Sequence, residues 1–336
     1  MDYVNGMAQL AHSIPFGILV VLDFFLVATS VGLVLISALS LSLGGEKVKG
    51  LTKPAAYLAL ATVIAGPIAL LADLGHPLRF LNLFLHFNVR SAMSWGSYIL
   101  VFYTLAVLIY AWMLTKNPVK AKRWGVISAI FGVALGTYTG MLLVEANSRF
   151  LWNSALIPVL FILSGWLSAW ALLAVYSHWF AVATRLKGLS LERVFRPTLL
   201  SLLIVEIVFV IAQLLVLATN GAQGAAMLGD LFGMHQFTFL WLQLIIGMIL
   251  PTVMLMVSTK PNTVAFSGVL SLVGVFFLRY NLVTAGQEMP LTGRVFGYAE
   301  QEPLMWGAFV LALGVVVLLT IIVPKFMESL AQRISA

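Results

Sequence analysis

Nine apolar runs, each long enough to cross a bilayer, divide this chain: residues 14–43, 54–72, 91–114, 124–144, 154–184, 197–219, 236–257, 263–282 and 304–323. A helix needs about 20 apolar residues to cross the hydrocarbon core, and backbone groups there must be satisfied within a helix or a closed barrel. The runs are continuous rather than alternating, which selects helices over barrel strands. Composition agrees: 61% of the residues are hydrophobic and 9% charged, with a mean hydropathy of +1.04, whereas a soluble domain carries roughly a quarter charged residues. The expected fold is an all-α polytopic membrane protein, a single integral membrane domain over residues 1–336 with about nine transmembrane helices in a bundle. The first run is about twice the length of a signal-peptide core and follows Asp2 with no Lys or Arg before it, so it is expected to be retained.

The net charge of +7 and pI near 9.7 would raise nucleic-acid binding in a soluble protein. Here the charge has a different geography. Of the 19 Lys and Arg residues, 14 follow the odd-numbered runs, and five (Arg79, Arg90, Arg149, Arg279 and Arg294) fall on the opposite side. The positive-inside rule then places the N-terminus outside and the C-terminus in the cytoplasm. The basic excess becomes an orientation signal, and no nucleic-acid partner is expected. The longer connections, 73–90, 220–235 and 283–303, all lie on the outer side, which is therefore the expected working face.

An ionisable side chain inside hydrocarbon is costly unless paired or hydrated, and so is a functional candidate. Asp23 lies about two turns into the first run, Glu206 near the middle of the sixth, and His178 in the inner part of the fifth. Each can also be a satisfied packing residue, and Glu145 can pair with Arg149 one turn on. There is no cysteine in the sequence, which excludes disulfides, thiolate metal sites and an iron–sulfur cluster of its own. Of the five histidines only His178 is clearly within a run, so facing haem-ligand pairs are not expected. Membrane-embedded Asp23 and Glu206 would also suit a secondary transporter, the alternative reading, although an odd span count opposes a complete inverted repeat.

The outer loop after the second run reads Asp73-Leu74-Gly75-His76-Pro77-Leu78-Arg79-Phe80, the third run opens Ser91-Ala92-Met93-Ser94-Trp95-Gly96, and the fourth contains Tyr138-Thr139-Gly140. Taken alone, Gly-His-Pro is a turn, Trp95 an interfacial anchor and Arg79 a headgroup contact. In this order and spacing the three stretches resemble the polysulfide reductase membrane-subunit family (NrfD/PsrC type), chiefly over residues 10–150. The resemblance implies a haem-free helical subunit of the bacterial inner membrane that binds menaquinone or ubiquinone near its outer face. It would pass electrons between quinol and a ferredoxin-like iron–sulfur subunit, which serves a molybdopterin or other catalytic subunit. It implies that Tyr138 and a polar residue at the start of the first run, His12 being best placed, bond the quinone oxygens. Asp23 is our own addition as a neighbouring proton acceptor. Asp73, His76 and Arg79 would cover the site, Arg90, Ser94 and Trp95 would contribute to the partner dock, and Glu206 and His178 would mark a wetted path from the cytoplasm.

Overall fold

The computed structural model describes residues 16–43, 49–73, 80, 82–145, 151–179, 193–288 and 303–335. Nine of its helices are long and apolar enough to cross a membrane among the described residues. In chain order the elements are α1 (Ile18–Ser42), α2 (Thr52–Asp73), a single turn α3 (Asn82–Leu85), α4 (Ala92–Lys116), α5 (Pro118–Val144), α6 (Leu156–Trp179), α7 (Phe195–Thr219) and a short α8 (Gly221–Phe232). A π-helix (Phe237–Ile249), α9 (Leu250–Val257), α10 (Pro261–Glu288) and α11 (Pro303–Ser335) follow. The membrane helices alternate in direction. One end of the bundle, where α1 begins, carries Asp73, Glu145 and Asp230 and is called the acidic end below; the other carries Lys53, Lys116, Lys120, Arg196 and Lys260.

α1 is apolar around its whole circumference, the pattern of a helix buried on all sides. It packs against α2, α5, α6, α10 and α11, and 89% of its most apolar stretch is buried. Close approach to α6 depends on small residues: a Cβ at Gly32 would lie 2.5 Å from the Gly165 carbonyl oxygen, and one at Gly165 would lie 2.8 Å from that of Ala28. α2, α4 and α5 complete one half of the bundle around α1, and α6, α7, the π-helix/α9 and α10 form the other. α11 lies outside against α2, α4 and α1, with only 6% of its span buried.

Polar groups within the first half are matched in register. The Ser30 hydroxyl donates to the Ala59 carbonyl (2.8 Å) and shares a hydrogen bond with the Tyr103 hydroxyl (2.9 Å). Two turns on, Ser37 donates to the Thr52 carbonyl (2.6 Å) and meets Tyr110 (2.7 Å). Both serines and both tyrosines recur at a seven-residue interval, which returns to the same helix face. Ser91 caps α4 by accepting from the Ser94 amide, and Asn117 caps α5 by accepting from the Val119 and Lys120 amides, with Pro118 at the first helical position.

The seventh span is a single apolar run in sequence and two helix types in space. The Leu250 N–H donates to the Ile245 carbonyl, five residues back, and the α-form resumes through Pro251, which has no N–H to continue the ladder. The eighth span, α10, runs to Glu288, past the 282 boundary expected from hydropathy. Its final polar residues are buried: Thr284 donates to the Tyr280 carbonyl (2.7 Å), and Gln287 both accepts from the Phe16 amide (2.9 Å) and donates to the Phe16 carbonyl (3.1 Å).

Candidate functional site

Asp23 lies five residues into α1, about 8 Å below the start of that helix. Its side chain is buried, and Oδ1 has no hydrogen-bond partner among the described residues. It rests on the backbone of α2, where a Cβ at Gly66 would approach Oδ1 to 2.7 Å. Tyr138 lies six residues before the end of α5, about 9 Å from the same end of the bundle. Its half-buried ring crosses Gly96 of α4, with the ring and hydroxyl occupying the space a Cβ there would need. Both Asp23 and the exposed Glu145 are within electrostatic reach of the Tyr138 hydroxyl. Four helices thus bring one carboxylate and one phenol to a common level in the acidic third of the span.

The surface beside Gly96 is aromatic. Trp95 is half exposed, donates its indole N–H to the Val89 carbonyl (2.9 Å) and meets the Phe87 ring edge-on at 5.2 Å; Phe87 in turn meets Tyr98 at 5.2 Å. Arg90 is exposed in the preceding turn, and its amide donates to Asn88 Oδ1 (3.0 Å). Ser94 is buried beneath that turn, with its hydroxyl accepting from the Asn88 amide (3.4 Å), so it anchors the turn while Arg90 and Trp95 present its surface. Asp73 ends α2, with Oδ1 buried and without a partner among the described residues. His12, His76 and Arg79 lie outside the described residues.

The second half of the bundle holds a charge that hydropathy misplaces. Arg279, counted from sequence with the outer boundary, is fully buried because α10 continues nine residues beyond it, which sets it about 13 Å inside the helix end. One guanidinium nitrogen donates to the Phe161 carbonyl (2.9 Å) and the Ser164 hydroxyl (2.8 Å), and the group lies 4.4 Å from the centre of the Phe161 ring, a cation–π geometry. Its charge reaches Glu206, which is also fully buried, on α7. Neither Glu206 oxygen, nor Nε or Nη1 of Arg279, has a partner among the described residues. A lone Arg within an apolar run is the sequence signal, and hydropathy misplaces it because residues 284–287 have the composition of a loop although they form buried helix.

The two halves meet through aromatic rings. Phe161, beneath Arg279, meets Phe24 edge-on at 6.1 Å, and Phe24 is the sequence neighbour of Asp23. Asp23 and Glu206, which a transporter would need at one site, therefore face different surroundings. His178 is half-buried at the basic end of α6 with its ring against Trp179 (5.5 Å), whereas Glu206 lies about 16 Å in from the basic end of α7 and faces Arg279. The structure brings Glu206 to Arg279 rather than to His178. No group of three or more potential His, Cys, Asp or Glu metal ligands occurs among the described residues.

Comparison with known proteins adds an independent finding. The family model described as polysulphide reductase, NrfD, matches residues 6–290. The protein is similar to the Hdr-like menaquinol oxidoreductase integral membrane subunit of Archaeoglobus fulgidus, 27% identical over 313 residues that cover 86% of its own length and 75% of the relative. It is also similar to a selenate reductase subunit of Mesobacillus selenatarsenatis, at 24% identity covering 93% of its own length and 85% of the relative. Similarity to a polysulfide reductase polypeptide of Wolinella succinogenes is 29% over 134 residues, 34% of its own length and 42% of the relative. The family match ends before α11, the helix least buried in the bundle.

Proposed function

The protein belongs to the polysulphide reductase NrfD family, and we propose that it is the quinone-binding membrane anchor of a multi-subunit respiratory oxidoreductase. The convergence of Asp23 and Tyr138 at one level carries the reading: a buried carboxylate oxygen without a hydrogen-bond partner among the described residues lies within electrostatic reach of a half-buried phenol. These are groups suited to bond, and exchange a proton with, the carbonyl oxygens of a quinone. A bound menaquinone or ubiquinone would supply the two-electron, two-proton redox couple. Tyr138 would orient the headgroup by donating to one oxygen, its ring held in place by Gly96. His12 is the candidate for the second oxygen. Asp23, in its dry setting, would hold or accept a proton, and Asp73, His76 and Arg79 would cover the site.

In this reading the acidic end faces outward and the basic end the cytoplasm of a bacterial cell, following the asymmetry of Lys and Arg. The partner would dock on the acidic end, where Arg90, Trp95 and Phe87 form an exposed aromatic and cationic surface. With no cysteine the chain has no cluster of its own, so electrons leaving quinol would pass to a neighbour; the family resemblance implies that this neighbour would be an iron–sulfur subunit serving a molybdopterin or other catalytic subunit. The relatives' names, a menaquinol oxidoreductase subunit and reductase subunits, support this placement. Glu206 would belong to a proton route through the second half, with Arg279 as its counter-charge and His178 at the cytoplasmic mouth.

The test is Tyr138→Phe in the assembled complex. The variant should retain its partner subunits through purification, with quinol KM raised about tenfold, the equivalent of ~1.4 kcal/mol of lost binding. Wild-type turnover and KM would remove Tyr138 from the site.

A further inference from the structure

The turn between α4 and α5 concentrates positive charge. Lys116, Lys120, Lys122 and Arg123 fall within eight positions and all four are exposed, while residues 74–144, which span both helices, contain no Asp or Glu. None of the four makes an ion pair among the described residues. Other cations of the basic end are placed differently. Arg196 is turned inward, with Nε donating to the Leu255 carbonyl (2.8 Å) and Nη2 to that of Met256 (3.3 Å), and Lys260 is the single basic residue between α9 and α10. A modest excess of Lys and Arg is enough to orient a span. It does not call for four on one turn, three of them in the first two turns of α5, where the positive end of the helix opposes them.

The surroundings of these charges belong to the membrane interface. A single residue, Asn117, joins the two helices, so the cations stay at the helix ends and are not carried into water on a loop. Asn117 Oδ1 already accepts from the Val119 and Lys120 amides (3.1 Å each), so the turn offers side-chain cations rather than free backbone N–H groups. Lys116 holds its Nζ 4.5 Å from the centre of the exposed Trp112 ring, an aromatic of the kind found at headgroup depth. Val119, beside the lysines, is 75% exposed, an apolar side chain suited to lipid rather than to water. Further along the same two helices, Leu105, Leu108, Val126 and Ile130 present exposed apolar faces.

The combination selects a partner that is anionic at one end and apolar at the other. A soluble acidic protein would need the charges clear of the bilayer, whereas a lipid phosphate meets them at the depth where they stand. We infer that the α4–α5 turn is the seat of an anionic phospholipid in the leaflet at the basic end, its phosphate held by Lys116, Lys120, Lys122 and Arg123 and its acyl chains lying along α4 and α5. The seat is independent of the quinone-binding function proposed above.

Native mass spectrometry of the full-length protein released from detergent micelles tests it, with phosphatidylglycerol and phosphatidylcholine of identical acyl chains as the probes. The first phosphatidylglycerol should bind about fivefold or more tightly than phosphatidylcholine, the gain from even one cation at an anionic headgroup. Lys116→Gln, Lys120→Gln, Lys122→Gln and Arg123→Gln together should abolish that preference. Lys49→Gln, Lys53→Gln, Lys260→Gln and Lys325→Gln together, the same change of charge at the same end, should leave it intact. If the first quadruple variant does not insert, Lys120→Gln with Arg123→Gln, which keeps two cations at the turn, should lower the preference while the control set does not. Excess inorganic phosphate should leave the lipid bound. Equal affinity for the two lipids in the native protein, or an equal loss in the seat and control variants, would overturn the seat. Displacement of the lipid by inorganic phosphate would assign the cations to free phosphate and overturn it as well.

Discussion

The ring of Tyr138 on α5 lies across the backbone of Gly96 on α4, its atoms filling the position from which any larger side chain at residue 96 would grow. This contact joins two sequence motifs 42 residues apart and gives the glycine of Ser91-Ala92-Met93-Ser94-Trp95-Gly96 a physical reason. A methyl group there cannot coexist with the ring where it stands, so α4 and α5 must part or Tyr138 must turn. Gly96→Ala should therefore reproduce the quinol KM defect of Tyr138→Phe, about tenfold, with the partner subunits still attached. The double variant should be no worse than the worse single variant, because both would remove the proposed hydrogen bond from Tyr138 to the quinone. Additive losses in steady-state quinol oxidation would show that Gly96 and Tyr138 act separately.

Asp23 has the opposite relation to its neighbour: its carboxylate lies against Gly66 without a hydrogen bond to Oδ1 among the described residues. Asp23→Asn keeps the shape and removes the proton acceptor. General acid–base groups typically contribute 10²- to 10⁴-fold, so kcat for quinol oxidation should fall about a hundredfold while quinone retention in the purified complex changes little. Equal losses of retention and turnover would make Asp23 a binding group rather than a proton acceptor.

Glu206 and Arg279 are each fully buried and within electrostatic reach of each other, without a direct hydrogen bond between them among the described residues. Removing one member of a buried pair leaves the other uncompensated, a loss of about 3–5 kcal/mol, whereas replacing both by apolar residues is close to neutral. Arg279→Met should thus lower the unfolding midpoint in nanodiscs sharply, and Glu206→Leu added to it should recover much of the loss. A double variant as unstable as the sum of the singles would show the charges to be independent.

The Ser–Tyr ladder between α1 and α4 yields an ordered pair of outcomes. Tyr110→Phe leaves the Ser37 hydroxyl still bonded to the Thr52 carbonyl and should cost about 1 kcal/mol. Ser37→Ala leaves the buried Tyr110 hydroxyl without that partner and should cost more, about 1–3 kcal/mol. Equilibrium unfolding of the two variants in mixed micelles reads the order directly, and the reverse order would place the dominant bond elsewhere.

The contrast between Trp95 and Arg279 shows what is legible along the sequence. Trp95 announces itself within a short motif at the start of an apolar run, and the structure shows it half exposed beside Phe87. Arg279 stands in an equally plain setting, but its meaning depends on where its helix stops. Thr284 and Gln287, which suggest by their polarity that the helix has ended, bond to Tyr280, Val283 and Phe16 inside the protein and do not meet water. The seventh span is similar: an unbroken apolar run says that a helix crosses, and nothing in hydropathy says that thirteen of its residues follow a π-helical path.

From the amino-acid sequence alone follow the nine crossings, the all-helical class, the segregation of basic residues to alternate connections, the lack of a thiol ligand and the order of the family's motifs. These are sums or short patterns of residue properties, and the bilayer enforces them one segment at a time, since each crossing must satisfy its own backbone. Which helices touch, and hence that Gly96 receives Tyr138, that Gly66 receives Asp23, and that Glu206 faces Arg279 rather than His178, was decided only by tertiary packing. In a uniformly apolar solvent there is little hydrophobic drive to prefer one helix face over another. The choice falls to small residues that admit a neighbour's atoms and to buried polar groups that need a partner, and both act between residues far apart in the sequence.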